Sequence, residues 1–102
     1  MHLLKEKLFK AIYNFDNENL IIEISKELDS LDFHDDTGLT PITSAIFDGD
    51  ESTVKILLKL GADPNFREKG IPETIGYSPL ERAIDFDFPE IEKTLLEYGA
   101  KE

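Results

Sequence analysis

The chain of 102 residues lacks cysteine, so it has no disulfide and no thiol for redox chemistry or nucleophilic catalysis. Its two histidines, His2 and His34, cannot form the usual zinc-binding spacings without cysteine partners. No apolar run approaches the ~20 residues of a membrane-spanning helix, and charges interrupt the N-terminal segment where a secretion signal has an apolar core. We therefore expect a soluble, cytoplasmic protein with a single domain.

Basic residues are scarce: 11 lysines and arginines stand against 22 aspartates and glutamates, which gives a formal net charge of −11. A field of this sign repels nucleic-acid phosphates and anionic lipids, so we expect no direct binding to nucleic acid or membrane. It attracts basic proteins. An alternative interpretation is that the acidic surface repels other copies of the chain and only keeps it soluble.

Motifs for catalysis and cofactor binding are also missing. The sequence has no glycine-rich phosphate loop and no nucleophile elbow. A calcium loop beginning at Asp32 would need glycine at its sixth position and glutamate at its twelfth, where Thr37 and Thr43 stand. The carboxylates are spread along the chain, a pattern more typical of a solvated surface than of acid–base catalysis. We predict a protein that is not an enzyme and binds neither cofactor nor metal.

One unit recurs along the chain. Thr40-Pro41 returns as Ser78-Pro79, and Gly61 returns as Gly99, in each case 38 residues later. The hydroxyl of Thr40 or Ser78 can accept a hydrogen bond from a free helix N–H, and the proline then takes the first helical position. Each repeat therefore predicts a helix that begins at its proline.

A second helix follows in each complete unit. Gly49 ends the first helix of the middle unit, and the next helix begins at about Ser52 with an apolar face. Gly61 and Gly99 stand where that second helix ends with positive φ. The segment 64–77 is rich in turn-forming residues, which indicates an extended loop or hairpin.

The first 34 residues show a helix pair without the Thr-Pro start, which suits an N-terminal capping unit. Two apolar stripes support this interpretation. They are Leu8, Ala11, Ile12 and Phe15, and then Leu20, Ile21, Ile24 and Leu28.

Together these features resemble the ankyrin repeat, most clearly over 35–65 and again over 76–100. The resemblance implies an all-α solenoid of about three stacked helix-turn-helix units with short hairpin-like connectors, at 1–34, 35–65 and 66–102. Thr43 and Glu81 replace the family's histidine, whose hydrogen bonds link repeats, so looser stacking is expected. No separate polar cap follows Leu95 and Leu96, which predicts an exposed apolar end.

The resemblance further implies a concave binding surface, formed by the connector tips and the exposed side of each first helix. Carried over position by position, the partner-binding residues are Tyr13, Asn14, His34, Asp36, Thr37, Leu39, Phe47, Asp48, Thr74, Ile75, Tyr77, Asp85 and Phe86.

Aromatic residues recur on this surface. Tyr13, Phe47 and Phe86 hold similar positions in successive units, which predicts a ladder of anchors flanked by Asp48 and Asp85. The alternative is that the rings fill gaps between helices, and for Phe86 both interpretations stay open.

These observations predict a protein-binding module, monomeric before binding, whose partner is a basic protein steered by charge. Small acidic proteins that neutralise nucleic-acid-cleaving toxins work in this way, and some resemble ankyrin stacks. An immunity or inhibitor protein is therefore our hypothesis. The alternative is a structural adaptor that self-associates or docks through its C-terminal repeat, at Leu95, Leu96 and Tyr98.

Overall fold

The computed structural model describes residues 2–14, 17–70 and 75–102, which form six α-helices and no strand. The helices, in chain order, are α1 (His2–Tyr13), α2 (Glu18–Lys26), α3 (Pro41–Phe47), α4 (Glu51–Lys59), α5 (Pro79–Asp85) and α6 (Pro89–Glu97). Consecutive helices pair as α1 with α2, α3 with α4 and α5 with α6. The all-α prediction is confirmed. Within the described residues, no helix combines the length and apolar character needed to cross a bilayer.

The three pairs stack side by side in two layers. The first helices form one layer, in which α3 lies between α1 and α5, and the second helices form the other, in which α4 lies between α2 and α6. This is the solenoid expected from the repeat. The unit boundaries at 1–34, 35–65 and 66–102 stay predictions.

The core lies between the layers and between the units. Its largest fully buried aliphatic side chains include Leu8, Ile12, Ile21, Ile46, Leu57 and Leu95. Two expectations are wrong: Leu20 is 38% exposed, and Leu95 is fully buried, so only Leu96 of that pair faces solvent. Leu96 lies on the end face of the stack, which no helix of the described residues covers, whereas its counterpart Leu58 on α4 lies under α6 and is 5% exposed. The predicted core residue Phe15 lies outside the described residues.

The repeated first helices begin as predicted. The Thr40 hydroxyl accepts a hydrogen bond from the Thr43 N–H at 3.0 Å, and the Thr43 hydroxyl accepts one from the Thr40 N–H at 2.8 Å. Ser78 and Glu81 make the same reciprocal pair at 3.1 and 2.9 Å. Each pair is a capping box that satisfies two N–H groups. The residues that replace the family's histidine thus close the helix start of their own unit.

Positive φ angles end the second helices of the two complete repeats, at Gly61 (105°) and Gly99 (100°). A Cβ at either glycine would meet no atom within 4 Å, so the backbone conformation alone requires glycine there. The helix ends predicted from Gly61 and Gly99 are therefore confirmed.

The second connector contains no helix in its described part, 64–70 and 75–77, which is consistent with the predicted extended loop or hairpin. The Glu68 N–H donates to the Tyr77 carbonyl at 2.8 Å, and the Lys69 N–H donates to the Gly38 carbonyl of the first connector at 2.9 Å. A Cβ at Gly76 would lie 1.8 Å from the Glu68 carbonyl oxygen, so only glycine allows this approach. The two connectors therefore lie beside each other.

Replacing the α3 cap tests this account of helix initiation. We expect Thr40→Ala to lower the free energy of unfolding by about 1–2 kcal/mol, because a buried N-terminus loses its hydrogen-bond acceptor. Urea unfolding followed by circular dichroism measures the change. The control Ser52→Ala, at an exposed position in the first turn of α4, should change it by less than about 0.5 kcal/mol. Equal losses in both variants would contradict the assignment.

Candidate functional site

The first connector, residues 34–39, is shaped by Asp35, which was not among the predicted site residues. One carboxylate oxygen of Asp35 accepts hydrogen bonds from the Thr37 N–H at 2.8 Å, the Thr37 hydroxyl at 2.7 Å and the Leu39 N–H at 3.0 Å. An aspartate that accepts from the backbone two residues ahead forms an Asx turn. Asp35 therefore positions the predicted contact residues Thr37 and Leu39.

His34 joins the two connectors. Its ring lies 4.8 Å from the Phe66 ring, and its Nε2 is 2.9 Å from the Arg67 carbonyl oxygen. The residue remains exposed. The predicted contact at His34 is thus also a link between loops, which makes the connector tips one continuous edge.

A groove of about 820 Å³ runs between α1 and the first connector, and we call it the α1 groove. Five predicted site residues line it: Tyr13, His34, Asp36, Thr37 and Leu39. Its charged residues balance, since three are lysines and three are carboxylates. They are Lys5, Lys7, Lys10, Glu6, Asp35 and Asp36. This half of the concave face is not acidic, because α1 carries a large share of the chain's few lysines.

The other half is built around Arg82, in a group that we call the Arg82 cluster (Arg82, Glu68, Phe47, Tyr77 and Phe86). The guanidinium donates to both carboxylate oxygens of Glu68, at 2.8 and 2.6 Å. Both side chains are largely buried, with exposed fractions of 17% for Arg82 and 8% for Glu68. The hydrogen bond to Glu68 raises the pKa of Arg82 above its already high value.

Three rings of the Arg82 cluster surround the guanidinium. Its central carbon lies 4.0 Å from the Tyr77 ring centroid, 4.8 Å from that of Phe47 and 5.5 Å from that of Phe86. Contacts of this length attract a cation to the negative faces of aromatic rings. Phe47 and Phe86 also contact each other edge to face, with centroids 4.9 Å apart. Helices α3 and α5 and the second connector are thus joined at one point.

The predicted ladder of rings is incomplete. Phe47 and Phe86 are in contact, but Tyr13 is 73% exposed and, within the part of the chain that the structure describes, contacts no other ring. The middle unit has no counterpart of Arg82, because the position 38 residues earlier holds Ser44. No cation therefore draws Tyr13 toward Phe47. Tyr13 instead lines the α1 groove.

The rings differ in how far they reach solvent. Phe47 is 45% and Tyr77 is 42% exposed, as expected of anchors. Phe86 is half-buried and packs against the core, in line with the gap-filling interpretation. Two exposed rings therefore lie against the largely buried guanidinium of Arg82.

The two aspartates predicted to flank the rings also differ. Asp85 is exposed, and its carboxylate lies 3.9 Å from Arg82 Nη1. Asp48 is half-buried, and one of its oxygens is buried without a hydrogen-bond partner among the described residues. Burial raises the pKa of Asp48, and the nearby Asp50 raises it further. The surroundings of Asp48 therefore disfavour its charged form, whereas Asp85 is exposed to solvent.

The remaining predicted residues fall near these two groups. Asn14 is exposed at the end of α1, and Ile75 is 79% exposed beside Tyr77. Thr74 lies outside the described residues. Neither Arg82 nor Glu68 was predicted, and the only signal was a basic residue inside the first helix of an acidic unit.

Stacked helix pairs joined by connectors define a helical-repeat protein. Over residues 8–102 the sequence matches the family described as ankyrin repeats (3 copies). The chain belongs to the ankyrin-repeat family, whose domains typically mediate protein–protein interaction. The family resemblance noted in the sequence is confirmed.

The known proteins that the chain resembles include a regulatory subunit and a crystallised ankyrin domain. Protein phosphatase 1 regulatory subunit 27 of Mus musculus is 34% identical over 71 residues, which cover 70% of this chain and 43% of that protein. The crystal structure of the ankyrin repeat domain of Bcl-3, "a unique member of the IkappaB protein family", matches with a TM-score of 0.80 and 24% identity. The match covers 92% of this chain and 39% of that one, and it shows a shared fold. The chain spans less than half the length of either protein.

Removing Arg82 tests the ion pair. We expect Arg82→Leu to lower the free energy of unfolding by about 3 kcal/mol, because it leaves the Glu68 carboxylate buried without a partner. The double variant Arg82→Leu/Glu68→Leu should recover most of that loss, since no unpaired charge remains. Urea unfolding of both variants and the parent checks this. A double variant no more stable than the single one would contradict it.

The half-buried carboxylate at Asp48 predicts a dependence on pH. Because the pKa of Asp48 is raised in the folded chain, its charge destabilises the fold fully above that pKa, and the cost disappears as pH falls below the ordinary value of 3.8. Asp48→Asn should therefore stabilise the chain at pH 7 by about 0.5 kcal/mol, since a carboxylate at a helix C-terminus is also unfavourable.

The stabilisation by Asp48→Asn should shrink toward zero near pH 3, as measured by urea unfolding at both pH values. Asp29→Asn, at an exposed position, controls for the change in net charge. A gain at pH 7 that is the same for both variants would contradict the assignment to burial.

Proposed function

We propose that this chain is an immunity or inhibitor protein that binds a basic protein, of the nuclease-toxin type, through the Arg82 half of its concave face. The observation that carries the proposal is the pair of exposed rings, Phe47 and Tyr77, held in place over a buried, neutralised Arg82 with Asp85 beside them. Aromatic anchors on a rigid support bind with little loss of conformational entropy.

Charge at the concave face favours a basic partner at this half. Arg82 and Glu68 neutralise each other, and so do Arg67 and Glu81, whose ion pair measures 2.9 Å. Asp48 and Asp85 remain as negative charges without a full partner. The partner's lysines or arginines are therefore attracted to the Arg82 half and not to the α1 groove, whose charges balance.

The cost of Asp48 supports a role in binding. A carboxylate that is half-buried without a hydrogen bond weakens the fold, and such residues occur where function competes with stability. A basic side chain of the partner beside Asp48 would lower the electrostatic cost of this charge, while the oxygen without a hydrogen bond stays buried. Inhibition would follow if the chain covered the partner's phosphate-binding cleft, since that cleft is basic.

An adaptor or regulatory role is the second candidate. The identity to a phosphatase regulatory subunit and the exposed Leu96 and Tyr98 of the last unit favour it. Leu95, named with them from the sequence, is buried and cannot take part. In this role the chain would dock on a larger protein without inhibiting it.

Co-expression with basic nuclease domains tests the first proposal. Protection of the host cell, together with binding of the purified domain by biolayer interferometry, would support it. A panel of basic nucleases in which none is neutralised and none binds would overturn it. Binding without loss of nuclease activity would favour the adaptor role.

Rate measurements separate steering from anchoring. For a bound basic partner, Asp85→Asn should lower the association rate several-fold at low salt and much less at 0.5 M salt, because screening removes the attraction. Phe47→Ala should instead speed dissociation.

Glu23→Gln is the control for Asp85→Asn, since it removes the same charge from an exposed site on α2, in the other layer. It should leave both rates nearly unchanged. Association rates of the parent that do not depend on salt would contradict steering.

A further inference from the structure

The end face of the last unit differs from the same face of the middle unit. In the middle unit Thr43, Ile46, Val54 and Leu58 are at most 5% exposed, because the last helix pair packs over them. The residues 38 positions later are Glu81, Ile84, Glu92 and Leu96. Within the described residues no helix covers this second set, and Ile84 is 54% exposed.

Ile84 belongs to a groove of about 570 Å³ beside the concave face, which we call the terminal groove. Its apolar surface comes from Ile75, Tyr77 and Ile84, with exposed fractions of 79%, 42% and 54%. Its rim is formed by Arg67, Glu81 and Asp85. Large apolar side chains that are exposed together and rimmed by charge mark interaction sites.

The rim argues against a further ankyrin unit, or a second copy of the chain, as the occupant. Either would have to cover Glu81 and Glu92 with an apolar face, and burying unpaired carboxylates is costly. The backbone N–H of Ser78, together with Arg67, lowers the pKa of Glu81, so its carboxylate stays charged. Two copies that each carry a net charge of −11 also repel each other.

The rim suits a cationic occupant instead. Glu81 is already paired with Arg67 at 2.9 Å, whereas Asp85 is exposed and lies 3.9 Å from Arg82, whose charge Glu68 neutralises. Asp85 and Tyr77 belong to both the Arg82 half of the concave face and the terminal groove. A segment bound at the rings can therefore continue around the edge of α5 onto Ile84.

We propose that the terminal groove binds a segment of a basic partner protein that places one aliphatic or aromatic side chain on Ile75, Tyr77 and Ile84 and one lysine or arginine at Asp85. The inference rests on the proposed function, because it states the chemistry by which the same partner is recognised. Ile84 is its new element, since the repeat pattern assigns this position to the core.

A displayed library of random 12-residue peptides, selected on the immobilised full chain, tests the groove. We expect enriched peptides in which a large apolar residue lies within three positions of lysine or arginine. A synthetic peptide from this set should bind the Ile84→Asp variant at least about tenfold more weakly than the parent. The Leu96→Asp variant, on the same end face but outside the groove, should bind within twofold of the parent.

Two checks keep the result interpretable. Thermal unfolding by circular dichroism should show that Ile84→Asp is folded, and Ile75→Asp should repeat the loss of binding from a connector position that is 79% exposed. Enriched peptides without basic residues, a library with no enrichment, or equal effects of Ile84→Asp and Leu96→Asp would each overturn the inference.

Oligomeric state and nuclease binding separate the remaining outcomes. A sedimentation mass of two chains that Ile84→Asp reduces to one would show a second copy in the groove and overturn the inference. A nuclease that binds the parent and Ile84→Asp equally would overturn it while the proposed function stands. If no nuclease binds but basic, apolar peptides require Ile84, the immunity role fails and the groove assignment stands.

Discussion

The ion pair between Glu68 and Arg82 holds the second connector against helix α5. Glu68 lies in the second connector, whose backbone at Lys69 bonds to the first connector, and Arg82 lies on α5. Because Arg82 also draws in the rings of Phe47 and Tyr77, the same contact sets the shape of half the concave face. A bidentate pair between largely buried groups fixes orientation as well as distance.

The fold could be predicted because its signals are local. The pairs Thr40-Pro41 and Ser78-Pro79 mark where helices begin, and Gly61 and Gly99 mark where they end. The start and end signals each depend only on residues within a turn of each other, and their recurrence at a 38-residue interval along the chain indicates stacked repeats. The exposure of Leu20 was missed because the pattern of a short helix leaves the edge of its apolar stripe undefined.

The site could be predicted only in outline. Exposed positions such as Tyr13, Phe47 and Tyr77 follow from the geometry of the repeat. Arg82 and Glu68 could not be foreseen, because their contact depends on how a connector of unusual length folds back on α5. The uneven distribution of charge was also hidden, since a net value of −11 does not say which face holds the lysines.

Two kinds of recognition follow from this arrangement. The α1 groove offers a polar, charge-balanced wall beside Tyr13, whereas the Arg82 half offers rings with residual negative charge. A partner that contacted both the α1 groove and the Arg82 half would need a neutral patch and a cationic patch side by side on its own surface. Such an order discriminates between proteins of equal overall charge.

The capping boxes at Thr43 and Glu81 have a consequence for how the array resists force. Each box closes a helix start with groups of its own unit, whereas the histidine of related repeats links neighbours. The stability of a linear array is approximately a sum of unit terms and interface terms. The polar bonds between units come from other positions: the Asp63 N–H donates to Asp32 at 2.9 Å, and the Asn65 side chain donates to the Gly99 carbonyl at 3.2 Å. A machine that pulls on one terminus, such as a degradative translocase, would have to break these bonds together with the apolar packing at each interface before the next helix pair came free.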